Sequence, residues 1–562
     1  MIRLTWAQPE DLIGHELRQA AEDGRDAGPV ARAWTAAGGH PAPDRAGASS
    51  TPAPPELRAL AGRLLSELAA LPVPTALAEP TDWPALEATW PPAPVPTARP
   101  QPDPGPPRNP AADPGPGTPP NPVPDPEPDP GPSPGLPAEP RPGTGPGLPV
   151  APDPGTGPEP RPGTGTGTGT GTGPEPRPGP GAGRGPGSVG GAAAAAGRAG
   201  AGGPAAGPAD AALRRRLEAG WIGRAVGCVL GKPVEKLPLE GIRALARAAG
   251  NWPLADWFTA RRVPAELLAA YPWNRRSAAT SLAENIDGAP EDDDLDHPLL
   301  GLLLLQRHGK GFTTADLARL WLDELPAGRT FTAERVAYRN LLLGLEPPAT
   351  AIHHNPFREW IGALIRADVH GWTNPGDPAA AAEQAYRDAV LTHTANGVFA
   401  ALFAAATIAE AAGGRGDVHT ALRAGLSVVP PRSRLADAVR FGIAAARAEA
   451  DFDRVVDRLH ACYGHYHWVH ALPNTALIAA ALTHADGDFT HSVCRVVSGG
   501  WDTDSNGATA GSVAGLLAGC PDRLPERWTA PLKNRLRTTV AGFDGIGFDT
   551  LAHLTAQEAA RS

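Results

Sequence analysis

A tract of proline, glycine and threonine interrupts this chain and limits what can fold on either side of it. Strings such as PDPGPP, PEPRPG and TGTGTGTGTG fill residues 93–207. Such a stretch buries too little apolar surface to offset its chain entropy. It is expected to be a disordered linker, semi-stiff where proline dominates and floppy in the Gly-Thr and Gly-Ala runs. Its PxxP strings arise freely from this composition and are read as tether rather than recognition motif. The 562 residues therefore divide into a small helical N-terminal segment (1–92), the linker (93–207) and a large C-terminal domain (208–562).

The C-terminal domain reads as all-α. ALRRRLEAGWIGRAVGCVLG, TADLARLWLDEL, PFREWIGALIRADV, NGVFAALFAAATIAEAA and ALIAAALTHA are rich in Ala and Leu and lack β-branched alternation. Several are apolar almost all round, which places them inside a bundle. In the N-terminal segment, leucines 57, 60, 64, 65 and 68 recur at helical spacing from Pro54 to Leu71, and a shorter piece covers Glu10 to Leu17. So small a unit is expected to dock, on the large domain or on a partner.

A formal net charge of −10 gives no case for an electrostatic nucleic-acid binder. The longest apolar runs, such as Leu299–Leu305, are too short to cross a bilayer, and the N-terminus lacks a signal-peptide pattern. Cys228, Cys462, Cys494 and Cys520 are widely spaced, without a CxxC, and are expected to be buried thiols of a reducing compartment. A soluble cytoplasmic protein is the expectation. Much Ala, Gly, Pro and Arg with little Lys is the usage of a GC-rich bacterial genome.

Two acidic clusters stand out in this apolar, helical background. One is Glu291-Asp292-Asp293-Asp294 in GAPEDDDLDHP, ahead of an apolar helix from Pro298 to Leu305. The other is Asp502-Thr503-Asp504-Ser505 in GGWDTDSNGATAG, ahead of a helix with small residues at 507, 508, 511, 514 and 515. Bunched carboxylates in such surroundings repel one another and are costly to bury unless a cation joins them. A set of carboxylate and hydroxyl oxygens suits a hard divalent metal, magnesium or calcium. Asp502 and Asp504 converge on one ion only if the chain turns there, with Ser505 or Asp504 capping the helix. Ordinary N-capping accounts for either cluster alone; two such helix starts in one domain suggest opposite walls of a di-metal pocket.

Together with AVGCVLGKPVE (Ala225–Glu235), these motifs resemble the ADP-ribosylglycohydrolase family over most of Leu217–Gly519. TFTAERVAYRN, NPFREWIGALIRADVHGW and RDAVLTHTANGVF are similar to a bacterial branch of it. The resemblance implies an all-α domain with two magnesium ions that hydrolyses an N- or O-glycosidic bond at the anomeric carbon of an ADP-ribosyl group. It implies Asp292, Asp293, Asp502, Asp504 and Ser505 as metal ligands, with Asp294 entering if the register slips by one. Glu235, Glu291 and Asp292 are the candidates for proton transfer. Glu291 stands where the family has threonine, and Cys228 where aspartate is usual.

Candidate substrate contacts are Gly227, Gly231, His393, Asn396, His470 and Gly500; structural roles are the first reading for His393 and Asn396, and core is the alternative for His470. Gly223, Gly227 and Gly231 suit either close approach of a pyrophosphate or helix–helix contact. The histidines of HACYGHYHWVHALPN lack zinc spacing. Arg358, Glu359 and Arg366 are expected to form surface or semi-buried ion pairs. The substrate is an ADP-ribosylated protein or small molecule. Alternatives are a non-catalytic ADP-ribose-binding module or a hydrolase of another ribosylated metabolite.

Overall fold

The computed structural model describes residues 5–40, 52–91 and 208–561. The tract expected to be a linker, 93–207, lies outside the described residues. The architecture is all-α: among the described residues strand pairing is confined to isolated bridges, Ala289 with Leu536, Trp360 with His470 and Leu536 with Ile546.

In the N-terminal segment, α1 (Pro9–Glu22), α2 (Gly28–Ala36), α3 (Pro55–Ala69) and the short α4 (Trp83–Glu87) all carry a proline in the first turn, where no backbone donor is lost. The leucine stripe of α3 is buried at Leu64, Leu65 and Leu68. The first long helix of the C-terminal region, α5 (Pro208–Gly231), runs beside a later helix numbered α12 below. Between them in sequence come α6 (Asp293–His308), α7 (Thr332–Leu342), α8 (Ala395–Gly413), α9 (Arg434–Ala448), α10 (Ala471–Ala485) and α11 (Phe489–Ser498). Next are α12 (Thr503–Ala518) and a C-terminal α13 (Phe548–Ala560).

The α5–α12 contact is backbone against backbone. A Cβ placed on Gly223 would lie 2.1 Å from the carbonyl oxygen of Gly511, one on Gly227 1.8 Å from that of Gly507, and one on Gly231 2.2 Å from that of Thr503. The reverse holds: a Cβ on Gly507, Gly511 or Gly515 would meet the carbonyl of Gly227, Gly223 or Ala219 at 2.2, 2.0 and 2.2 Å. As one helix ascends in number the other descends, so the pair is antiparallel. Of the two uses open to these glycines, the fold takes helix–helix contact.

Four local expectations are corrected. The helix of the first acidic cluster starts at Asp293, not Pro298, which lies inside it. Proline cannot donate to the carbonyl four residues back, and that carbonyl, Asp294 O, accepts instead from Arg224 Nε at 2.8 Å. The NPFREW stretch is not an α-helix: it turns into a 3-10 segment, Ile361–Arg366. Its backbone is engaged by the chain before α10, with Ile361 N donating to Val469 O at 3.0 Å and Ala471 N to Glu359 O at 3.0 Å. Glu359 and Arg366 are buried rather than superficial, and Arg366 pairs with Glu334 and Asp388. Of the four cysteines, all free, only Cys228 and Cys494 are buried; Cys462 is exposed and Cys520 half-buried. Among the described residues one helix, α8, is long and apolar enough to cross a membrane, and 89% of its apolar window is buried inside the protein.

The N-terminal helices share buried ion pairs with residues 358–470. Arg358 reaches Glu16 at 2.8 Å and Asp23 at 2.9 Å, and Arg434 binds both carboxylate oxygens of Glu79 at 2.9 Å. Glu22 and Glu359 are the surplus acids of this cluster. Burial, then the neighbouring Glu359, pushes Glu22 up to about 8; burial pushes Glu359 up to about 7 against the pull of Arg434.

Two outcomes are expected. Gly227→Ala forces a methyl into a carbonyl that cannot move alone, and should cost about 3 kcal/mol or prevent folding, read by denaturant unfolding. Gly62→Ala, on open surface within α3, should be neutral or slightly stabilising in the same assay. The raised acids bind protons more tightly folded than unfolded. Their stability contribution is therefore present below the ordinary value of 4.5 and lost as pH rises through about 8. Glu22→Gln should flatten that fall in a melting-temperature series against pH.

Candidate functional site

The glycine contacts bring the end of α5 to the start of α12. Thr503 Oγ1 donates to Gly231 O at 2.8 Å, and the residues after Gly231 form a single 3-10 turn, Lys232–Val234, leading to Glu235. The start of α12 is itself made by a reversal. Gly500 and Trp501 both take positive φ, 80° and 57°. Trp501 stacks flat on His460 at 4.0 Å, and His460 Nε2 bonds Gly499 O at 2.8 Å. The N-cap is Asp502, rather than Ser505 or Asp504, and its carboxylate makes no capping bond. Its N–H donates to Asn474 Oδ1 at 3.1 Å, an oxygen that also accepts from Asn506 at 2.7 Å. Asn474 Nδ2 in turn donates to the carbonyls of Trp468 and His470 at 2.9 and 2.8 Å. Asp502 is thus aimed by its backbone, and its carboxylate meets that of Asp504.

The start of α6 comes to the same place. Asp292 is its N-cap, accepting from Asp294 N at 3.0 Å, and it forms a tight ion pair with Lys232. Asp294 accepts from Ser505 Oγ at 3.3 Å, which links the two acidic motifs directly. Behind it the fully buried Arg224 holds Asp294 O, Ile365 O at 2.6 Å and Asp368 at 2.7 Å. Glu235 is steered by Asn274 Nδ2 at 2.7 Å and Lys236 Nζ at 2.6 Å.

These groups line one cavity of about 780 Å³, a size that suits a nucleotide-like ligand. Glu235, Asp292, Asp293, Asp294, Asp502, Asp504 and Ser505 all stand on its wall. Two sets of possible ligand atoms each lie within 4.8 Å of one another: Glu235, Asp502 and Asp504, and Cys228, Asp292 and Asp294. Burial, then mutual repulsion, pushes Asp293, Asp294 and Asp502 well above the usual carboxylate range; burial and Glu235 push Asp504 up to about 7. Asp292 is the exception: burial opposes its charge, but Lys232 outweighs it and holds the carboxyl below its ordinary value. Asp294 Oδ1 has no hydrogen-bond partner. The excess of buried negative charge and the oxygen-rich donors fit a hard divalent cation. The Cys228 thiol, kept protonated by burial and then by Asp292, does not suit such an ion.

Other residues singled out in the sequence lie off this wall. Glu291 points outward and pairs with Arg329 at 2.9 Å. Gly227 and Gly231 are occupied by the α12 backbone, and Gly500 serves the turn before Asp502. His393 is buried against Thr392, 2.6 Å from its hydroxyl. Asn396 donates to Glu359 at 3.0 Å and accepts from Leu435 N at 3.0 Å. His470 caps α10 and lies 3.5 Å from Glu22, within the ion cluster of the N-terminal helices. The wall also holds Lys232, Lys236, Asn274 and Trp6, which the sequence did not mark out. The Pro-x-Glu end of the glycine motif is the one signal that pointed toward Lys232.

The ADP-ribosylglycohydrolase family model matches residues 209–559. No curated protein matches the chain. Among solved structures, an ADP-ribosylglycohydrolase-related protein complex aligns with 20% identity and a TM-score of 0.38, covering 62% of this chain and 97% of that one. The family match spans more than half of the chain and takes in both acidic helix starts and the glycine helix that precedes them. The chain belongs to the ADP-ribosylglycohydrolase family and is a hydrolase acting on glycosidic bonds of ADP-ribosyl adducts.

Proposed function

We propose that this protein is a magnesium-dependent hydrolase that releases ADP-ribose from a protein or small-molecule adduct. The observation that carries the reading is the convergence of Asp293, Asp502 and Asp504 on one cavity wall, none of them in a salt bridge and all pushed upward by burial and by neighbouring carboxylates despite the nearby Lys232 and Lys236. Lys232 answers Asp292, and Arg224 stands behind Asp294. Asp293, Asp502 and Asp504, with Ser505 and Asp294 beside them, would hold two magnesium ions. Bound there, magnesium would hold ribose hydroxyls and help to activate a water.

The chain's own groups account for the rest. Water oxygen bonds to the anomeric carbon, the glycosidic bond breaks with its electron pair going to the leaving atom, and that atom takes up a proton. The positive charge that grows on the sugar is met by the carboxylates of the wall. Glu235, aimed by Asn274 and Lys236, is the group assigned to proton transfer. Glu291 is ion-paired away from the cavity, and Asp292 is tied to the α6 cap and held in its charged form by the buried Lys232, so neither is assigned that role. Four unpaired cysteines suit a reducing, cytoplasmic setting.

The reading is tested with purified protein and ADP-ribosylated arginine or serine peptides. Turnover should stop with EDTA, return with magnesium, and be lost in the double variant Asp502→Ala, Asp504→Ala; full activity without metal or in that variant overturns it. Asn474→Ala removes the support that aims Asp502. It should weaken magnesium binding by about ten- to a hundredfold in calorimetry, with the fold retained by circular dichroism.

A further inference from the structure

Residues 5–91 lie outside the family match, which begins at 209, yet they reach the substrate cavity. Trp6 is part of its wall, beside Phe331, Thr332 and Trp360. The placement is held by several bonds. The Trp6 ring meets Phe331 edge-on at 5.9 Å, and the Arg335 guanidinium lies 5.1 Å from its centre. Arg335 donates to Thr5 Oγ1 at 2.6 Å, and Arg339 to Ala7 O at 3.0 Å. Residues 5–7 are thereby tied to α7, while the Glu79–Arg434 and Arg358 pairs hold the helices that follow.

A second observation points to a ligand. The indole Nε1 of Trp6 is buried without a hydrogen-bond partner, and so are those of Trp273 and Trp468 on the same wall. A buried indole N–H ordinarily finds an acceptor. These nitrogens are closed off from the cavity, so what the wall presents is ring surface: Trp6, Tyr271, Trp273, Phe331, Trp360 and Trp468 line it together, an aromatic lining that suits the flat base of a nucleoside diphosphate sugar.

We propose that the N-terminal segment completes the substrate cavity, and that Trp6 is a specificity-determining residue. Its ring packs against the part of the ADP-ribosyl substrate remote from the bond that is cut. The inference rests on the hydrolase reading above. It makes the segment a working wall of the enzyme, so Trp6 governs binding and leaves the chemical step to the acidic end.

The test uses the full chain, ADP-ribose as the binding probe, and the adduct peptides as substrates. Trp6→Ala should weaken ADP-ribose binding and raise KM by about tenfold, with kcat within about threefold of wild type. Trp6→Phe keeps a smaller ring against Phe331 and Arg335, so it should restore part of the affinity that Trp6→Ala loses, with the fold retained by circular dichroism. Wild-type affinity and KM in both variants overturn the inference and leave the hydrolase reading standing. A fall in kcat at constant KM also overturns it. Wild-type protein that neither binds ADP-ribose nor cleaves any adduct overturns the hydrolase reading, and this one with it.

Discussion

The site depends on the direct contact between the backbones of α5 and α12. Glycines four residues apart on each helix leave no side chain between them, so the helices meet at carbonyl distance along three turns. Such closeness leaves little freedom to slide or rotate, and fixes where each helix ends. The end of one delivers Lys232 and Glu235; the start of the other delivers Asp502, Asp504 and Ser505. A single methyl in that seam would separate the two halves of the site.

The second constraint is charge. Six or more carboxylates are gathered where water is largely excluded, and the protein neutralises only some of them. Lys232 is given to Asp292, and Arg224 braces Asp294 while taking up the carbonyl that Pro298 leaves unbonded. The remainder are displaced upward by burial and by one another, which is the electrostatic state that a divalent cation relieves. The same reasoning explains the ion cluster of the N-terminal helices in the opposite sense. There Arg358 and Arg434 supply the cations, and a surplus of acids remains protonatable near neutrality.

Asn396 and His470 are open to either a pocket or a structural role in sequence, and the structure places both away from the cavity wall. Both belong to the ion cluster that joins residues 16–79 to residues 358–470. Their chemistry, an amide and an imidazole in apolar sequence, is equally apt for a ligand pocket or for a buried salt-bridge network. The partners that decide between these, Glu22 and Glu79, are more than three hundred residues away in sequence. Glu291 is similar: adjacency to Asp292 suggested a shared role, but the N-cap geometry turns one carboxylate inward and leaves the other to Arg329.

By itself the sequence determined the helical class, the two acidic helix starts and the glycine spacing, because these are local properties of periodicity, capping and residue size. It also carried the family motifs, which bear most of the functional conclusion. Tertiary structure alone decided that the glycines contact a helix rather than a phosphate, that Lys232 answers Asp292, and that Trp6 reaches the cavity. Each of those depends on which distant backbone arrives within a few ångströms, and no local pattern encodes that. The NPFREW stretch makes the same point: its helix-like composition yielded to backbone bonds from residues 469–471, because pairing with a neighbour satisfied the groups that a helix would have satisfied internally.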